Sequence, residues 1–198
     1  KTAYEIPKRD WSSDVCSSDL ADVRAERDVA HQTVMIESFI PGAEFAVEGL
    51  LTDGRLQLLA IFDKPDPLDG PFFEETIYLT PSRASQDTQA AIVAAIQKAA
   101  AALGLRHGPV HAECRVNQGG PEGPPLRSPD VYVLEVAPRP IGGLCSKSLR
   151  FDGPDGEASL EEVLLRHALG HDVSAYRRER QASGVMMIPI PRRGIYRR

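Results

Sequence analysis

Three features of the sequence predict an α+β fold, a mostly antiparallel sheet flanked by helices. The first is a pair of strand-like runs, 110–116 (VHAECRV) and 131–136 (VYVLEV). They are separated by a Gly- and Pro-rich stretch, Asn117 to Asp130, that allows them to pair as an antiparallel hairpin. The second is Asp53-Gly54, a hairpin turn signal between EFAVEGLL (44–51) and a strand-like run from Leu56 to Phe62. The third is Gln86 to Leu103, where Ile92, Ile96, Ala99 and Leu103 recur at helical spacing, with Ser85 placed to cap the start and Gly104 the end.

The remaining elements follow in chain order. Lys1 to Arg9 carries no pattern and reads as an orphan segment. Asp10 to Leu20 (DWSSDVCSSDL) matches, without interruption, the translation of a common sequencing-library adapter. A Ser/Asp-rich surface loop would have a similar composition, but the unbroken match makes an artefact the better reading. Trp11 and Cys16 then carry no evolved meaning, and the segment is set aside as an unstructured scar. Ala21 to Ala30 has helix-forming composition. Thr33 to Ile40 is strand-like and ends at the turn pair Pro41-Gly42. Asp63 to Phe73 is a Pro/Gly loop of the length that carries function. Glu75 to Leu79 is a short strand. Ser159 and Glu162 form a capping box for a helix from Leu160 to Leu169. A strand-like passage begins at Gly184, and the end at Arg198, without a cap or tail signal, is expected to be a truncation.

The totals bound the class. At 198 residues, 42% hydrophobic and 26% charged, the chain is about one ordinary globular domain with a real core. A net charge of −5 argues against nucleic acid as a partner. No apolar run approaches the roughly 20 residues that span a bilayer, so no membrane partner is expected. Cys16, Cys114 and Cys145 show neither zinc nor redox spacing, so a reduced, cytoplasmic setting is the default.

The chemistry concentrates in the two paired runs. Alternate side chains of a strand share a face, so His111, Glu113 and Arg115 point one way and Val110, Ala112, Cys114 and Val116 the other. Glu135 is a charge among Val, Leu and Tyr, and pairing would set it close to Glu113. Two adjacent carboxylates repel unless they share a proton or a cation, and a hard divalent ion such as Mg²⁺ takes oxygen ligands. A solvated outer face would also accommodate both.

From about Val34 to Leu149 the chain resembles the C-terminal lobe of an ATP-grasp ligase, within the carboxylate–amine ligase group. The resemblance rests on motifs in order: Glu37 to Glu44 (ESFIPGAE), Asp63-Lys64, the helix, His111-Ala-Glu113, and Leu134 to Arg139 (LEVAPR). It implies that residues 21–198 form this lobe, with ATP and Mg²⁺ as cofactors. It implies a function as well: amide-bond formation between small-molecule carboxylate and amine substrates through an acyl phosphate. It further implies roles. The backbone of Glu37 to Ile40, including Phe39, would read the adenine edge. Glu44 would accept from the ribose hydroxyls, and Lys64 would reach the phosphates. Glu113 and Glu135 would hold Mg²⁺. Arg139 would steady the acyl phosphate, and Gly142 and Gly143 would offer N–H groups to an anionic substrate. For His111 two readings stand, substrate contact or a hydrogen-bonded core histidine, with the second preferred. For Gly142-Gly143 a plain turn is as good a reading.

Two departures are visible. Ala137 stands where the family commonly has a metal-ligating Asn, and the glycine-rich loop and lysines of the N-terminal lobe have no counterpart in Lys1 to Leu20. The chain is therefore expected to be an incomplete piece with little activity by itself. A bicarbonate-activating enzyme and a non-catalytic Mg-ATP-binding module are the competing readings. Substrate identity and oligomeric state are not legible.

Overall fold

The computed structural model describes residues 36, 38–67, 75–117 and 129–188. The chain divides into two units, Lys1–Phe39 with Leu68–Glu75, and Ile40–Pro67 with Thr76–Arg198. Of the first, the described residues are Ile36, Ser38, Phe39 and Glu75, none of them in regular secondary structure.

The second unit is built on a sheet of six strands: β1 (Ala43–Thr52), β2 (Arg55–Lys64), β3 (Ile77–Thr80), β4 (Gly108–Asn117), β5 (Asp130–Ala137) and β9 (Ser183–Met186), in the order β5-β4-β1-β2-β3-β9. Every pairing in it is antiparallel, as the alternating patterns predict. β1 and β2 join through Asp53 (φ 51°) and Gly54 (φ 84°), the two positive dihedrals of a type I′ turn. β1 is entered through Gly42, whose φ is 125°; a Cβ there would lie 2.4 Å from the Val116 carbonyl oxygen, so only glycine fits.

One face of the sheet is covered by α1 (Gln86–Ala102). Phe45, Val47, Leu51, Ile61, Val110, Ala112, Cys114 and Val116 meet Ile92, Ile96 and Ala100 in one apolar core. Ser85 caps α1 by accepting from the Thr88 N–H. The buried row is Thr88, Ile92, Ile96 and Ala100, an i, i+4 ridge, rather than the expected Ile92, Ile96, Ala99 and Leu103. Leu103 is the C-cap and 62% exposed.

The opposite face carries a second core. Ala46, Leu50, Ala60, Phe62 and Tyr78 of the sheet meet Cys145 of α2 (Gly143–Lys147), Phe151 of β6 (Arg150–Gly153), Ala158 of β7 (Gly156–Ser159), and Leu160 and Val163 of α3 (Leu160–Ala168). β6 pairs with β7 and with β8 (Arg177–Arg178) in a separate small sheet. The capping box of α3 is half formed: Ser159 Oγ accepts from the Glu162 N–H, while the Glu162 carboxylate turns to Arg166.

Several expectations need correction. Ser38 to Ile40 is not a strand; the Ile40 carbonyl accepts from the Arg115 side chain at 2.7 Å, and Pro41 lacks a ladder donor. Asp63 and Lys64 do not belong to the expected Pro/Gly loop but end β2, with Lys64 buried. The short α2 and the β6–β7 hairpin went unpredicted. The expected helix 21–30, residues 33–35 and Glu37 lie outside the described residues. Among the described residues, no helix is long and apolar enough to cross a membrane.

Candidate functional site

The face opposite α1 is organised in three cross-strand rows. Lys64, Glu44 and Arg115 stand side by side on β2, β1 and β4. Two residues along, the row is Phe62, Ala46, Glu113 and, on β5, Glu135. The third is Ala60, Glu48, His111 and Ala137. The predicted facing of His111, Glu113 and Arg115, and the pairing of Glu113 with Glu135, are thus both present. A bulge after Glu113 shifts the β4–β5 register, so that Val133 and Glu135 take successive partners.

Charge alternates through these rows. Lys64 Nζ donates to Glu44 Oε1 and to Glu113 Oε1, each at 2.8 Å, and lies 5.0 Å from the Tyr78 ring centroid. Arg115 Nε donates to Glu44 Oε2 at 2.8 Å. Both oxygens of Glu44 are therefore engaged inside the protein. His111 Nδ1 pairs with Glu48 Oε1 at 2.6 Å, and its Nε2 lies 3.7 Å from Glu113 Oε1.

Glu113 is flanked by a cationic group from each neighbouring row. Burial works against its ionisation, but the interactions with His111 and the Lys64 ammonium outweigh it and hold the carboxyl down at about 2. Burial also opposes protonation of His111, yet the flanking Glu113 and Glu48 carboxylates raise it to about 9, so both ring nitrogens are donors. Burial pushes the Glu48 carboxyl up, with His111 and the Ile141 N–H partly offsetting it. On the opposite face, burial raises the Cys114 thiol to about 12, which leaves it unreactive.

Glu135 differs from its neighbour. Its side chain is 56% exposed and 3.8 Å from the equally open Arg139, an ion pair of little energetic weight. Gly142 and Gly143 are exposed, at the start of the five-residue α2. Phe39 belongs to the first unit, and Ile40 spends its carbonyl on Arg115.

The donor set suits a hard divalent cation. Glu113 is ionised at neutral pH, its Oε2 takes part in neither the Lys64 nor the His111 contact, and Glu135 presents an open carboxylate directly across the ladder. Two members of the constellation went unassigned in the sequence, Glu48 and Arg115. Glu48 was legible by the argument that singled out Glu135, a charge within an apolar strand (FAVEGLL).

Residues 8–148 match the ATP-grasp domain family, and the chain belongs to that family. An L-amino acid ligase from Bacillus licheniformis shares 32% identity and superposes with a TM-score of 0.59 over 77% of this chain and 35% of that one. Carnosine synthase 1 of Gallus gallus is 33% identical over 110 residues, 56% of this chain and 10% of that protein. A phosphoribosylglycinamide synthetase from Anaerococcus prevotii shares the fold at 14% identity, with a TM-score of 0.56 over 76% of this chain and 36% of that one. The chain thus spans about a third or less of the length of these relatives.

Proposed function

We propose that the protein containing this chain is an ATP-dependent carboxylate–amine ligase. The observation that carries the reading is Glu113, held ionised between Lys64 and His111 and set across the ladder from the open carboxylate of Glu135. Glu113 and Glu135 would hold Mg²⁺ of bound ATP, which supplies charge neutralisation for phosphoryl transfer. A substrate carboxylate oxygen would take the γ-phosphoryl group, releasing ADP. The amine nitrogen would then attack the acyl carbon, expelling phosphate and losing its proton to solvent. Arg139, an exposed planar fork beside Glu135, would bind the carboxylate and the acyl phosphate that replaces it. The similarity to an L-amino acid ligase at 32% identity favours an amino acid as a substrate.

The buried ion pairs of Lys64 with Glu44 and Glu113 support a role for it in positioning these two carboxylates beside the phosphates it would reach. Together with His111, the Lys64 ammonium holds Glu113 ionised against burial, the state in which a carboxylate would bind a metal ion. Ala137, across from His111 and unable to coordinate, supports a second reading as a nucleotide-binding module without turnover.

The test uses the full-length protein with ATP, Mg²⁺, an amine and an amino acid bearing heavy oxygen in its carboxylate. Passage of label into the released phosphate is the expected result. Unlabelled phosphate would exclude the acyl phosphate, and nucleotide binding with no phosphate release would select the second reading.

A further inference from the structure

Glu48 has no part in the proposed chemistry, yet it is the most deeply buried charged side chain described, 1% exposed at the middle of β1. Its Oε1 accepts from His111 Nδ1 at 2.6 Å and from the Ile141 backbone N–H at 3.0 Å. Its Oε2 is buried with no protein partner. A carboxylate in such a place is costly unless it is paired and hydrogen-bonded, and here the bonds to His111 and Ile141 are what offset that cost.

The bond to Ile141 reaches an unusual segment. β5 ends at Ala137, and the chain continues Pro138-Arg139-Pro140-Ile141. Neither proline has an N–H, so the segment owns two backbone donors. The Arg139 N–H is spent locally on the Ala137 carbonyl at 2.8 Å. The Ile141 N–H is thus the segment's remaining backbone donor, and it goes to Glu48, two strands away. The Ile141 side chain is itself 7% exposed, within the core. With φ fixed at both prolines, holding Ile141 at one end and Ala137 at the other fixes where Arg139 stands.

We propose that Glu48 is a positioning residue: its carboxylate clamps the Pro138–Ile141 segment over β4 through the Ile141 N–H and so sets Arg139 beside Glu135. The importance of this for turnover rests on the ligase reading; the clamp itself does not.

Two conservative variants separate reach from charge. Glu48→Gln keeps the length of the side chain and an acceptor oxygen. Glu48→Asp keeps the charge but falls one methylene short. Amide hydrogen exchange at Ile141, measured in this chain, is expected to accelerate at least tenfold in Glu48→Asp and to remain protected in Glu48→Gln. In the full-length enzyme, Glu48→Asp is expected to lower kcat at least tenfold more than Glu48→Gln, with KM for ATP little moved. In an Arg139→Ala background, Glu48→Asp should cost no further turnover. Unchanged Ile141 exchange in Glu48→Asp, or a larger effect from Glu48→Gln, overturns the clamp. Independent, multiplicative losses in the double variant overturn action through Arg139. If the wild type ligates nothing, the ligase reading falls, while the exchange result still decides the clamp.

Discussion

The two faces of strand β4 differ at every alternate residue. Facing α1, Val110, Ala112, Cys114 and Val116 are buried against Ile92, Ile96 and Ala100, and the packing is uniformly apolar. Facing away, His111, Glu113 and Arg115 belong to an interlocked set of charges with Glu44, Glu48 and Lys64. The first face tolerates exchange of one apolar side chain for another of similar volume. The second tolerates little, because each charge there is the partner that makes its neighbour's burial bearable. The same strand therefore packs an apolar core with one face and holds an interlocked set of charges with the other.

That contrast can be strained from either side. The largest effect is expected for Lys64→Met, which leaves Glu44 and Glu113 without their shared ammonium. It should destabilise the chain by about 3–5 kcal/mol in denaturant titration. A neutral result would mean that the charged face is solvated rather than interlocked. Ile96→Ala, on the apolar face and fully buried, should cost about 2–4 kcal/mol by cavity formation while leaving the pH profile of stability unchanged.

The pH profile itself sharpens the comparison. Glu113 is held at about 2 against an ordinary 4.5, so its stabilisation is complete above the ordinary value and is lost as pH falls toward 2. His111 is raised from 6.5 to about 9, so its contribution is complete below 6.5 and is lost as pH rises through 9. In metal-free buffer, Glu113→Gln should reduce the acid loss of stability by about 1–3 kcal/mol. Thermal melts across the acid range check this, and an unaltered acid limb would refute the flanking arrangement. The smallest effect is expected for Leu103→Ala, at the exposed end of α1, at about 0.5 kcal/mol or less.

The β1–β2 and β4–β5 hairpins and α1 were legible because local signals set them: Asp53-Gly54, the period-two alternation of VHAECRV, and the Ser85 cap. Alternation also gave the facing of His111, Glu113 and Arg115. What alternation could not supply was depth. Lys64 follows a β-rich run into a Pro/Gly stretch, and nothing local says that its ammonium folds inward between two glutamates. Nothing local says that Glu44 is closed off, because Arg115, which holds its second oxygen, lies seventy-one positions away. The clamp from Glu48 to Ile141 spans ninety-three positions, beyond any local rule. The short hairpin of β6 and β7, which turns at Pro154 and Asp155, carries too few residues for a period to show.

On the proposed ligase reading, the charged face of β4, and not its apolar face, binds the metal of the nucleotide. Mn²⁺ titration by electron paramagnetic resonance in the presence of ATP, on the full-length protein, tests it most directly. Glu113→Gln should weaken Mn²⁺ binding at least tenfold, whereas Cys114→Ala, the next residue on the opposite face, should leave it unchanged. Equal Mn²⁺ binding by the wild type and Glu113→Gln would contradict the account.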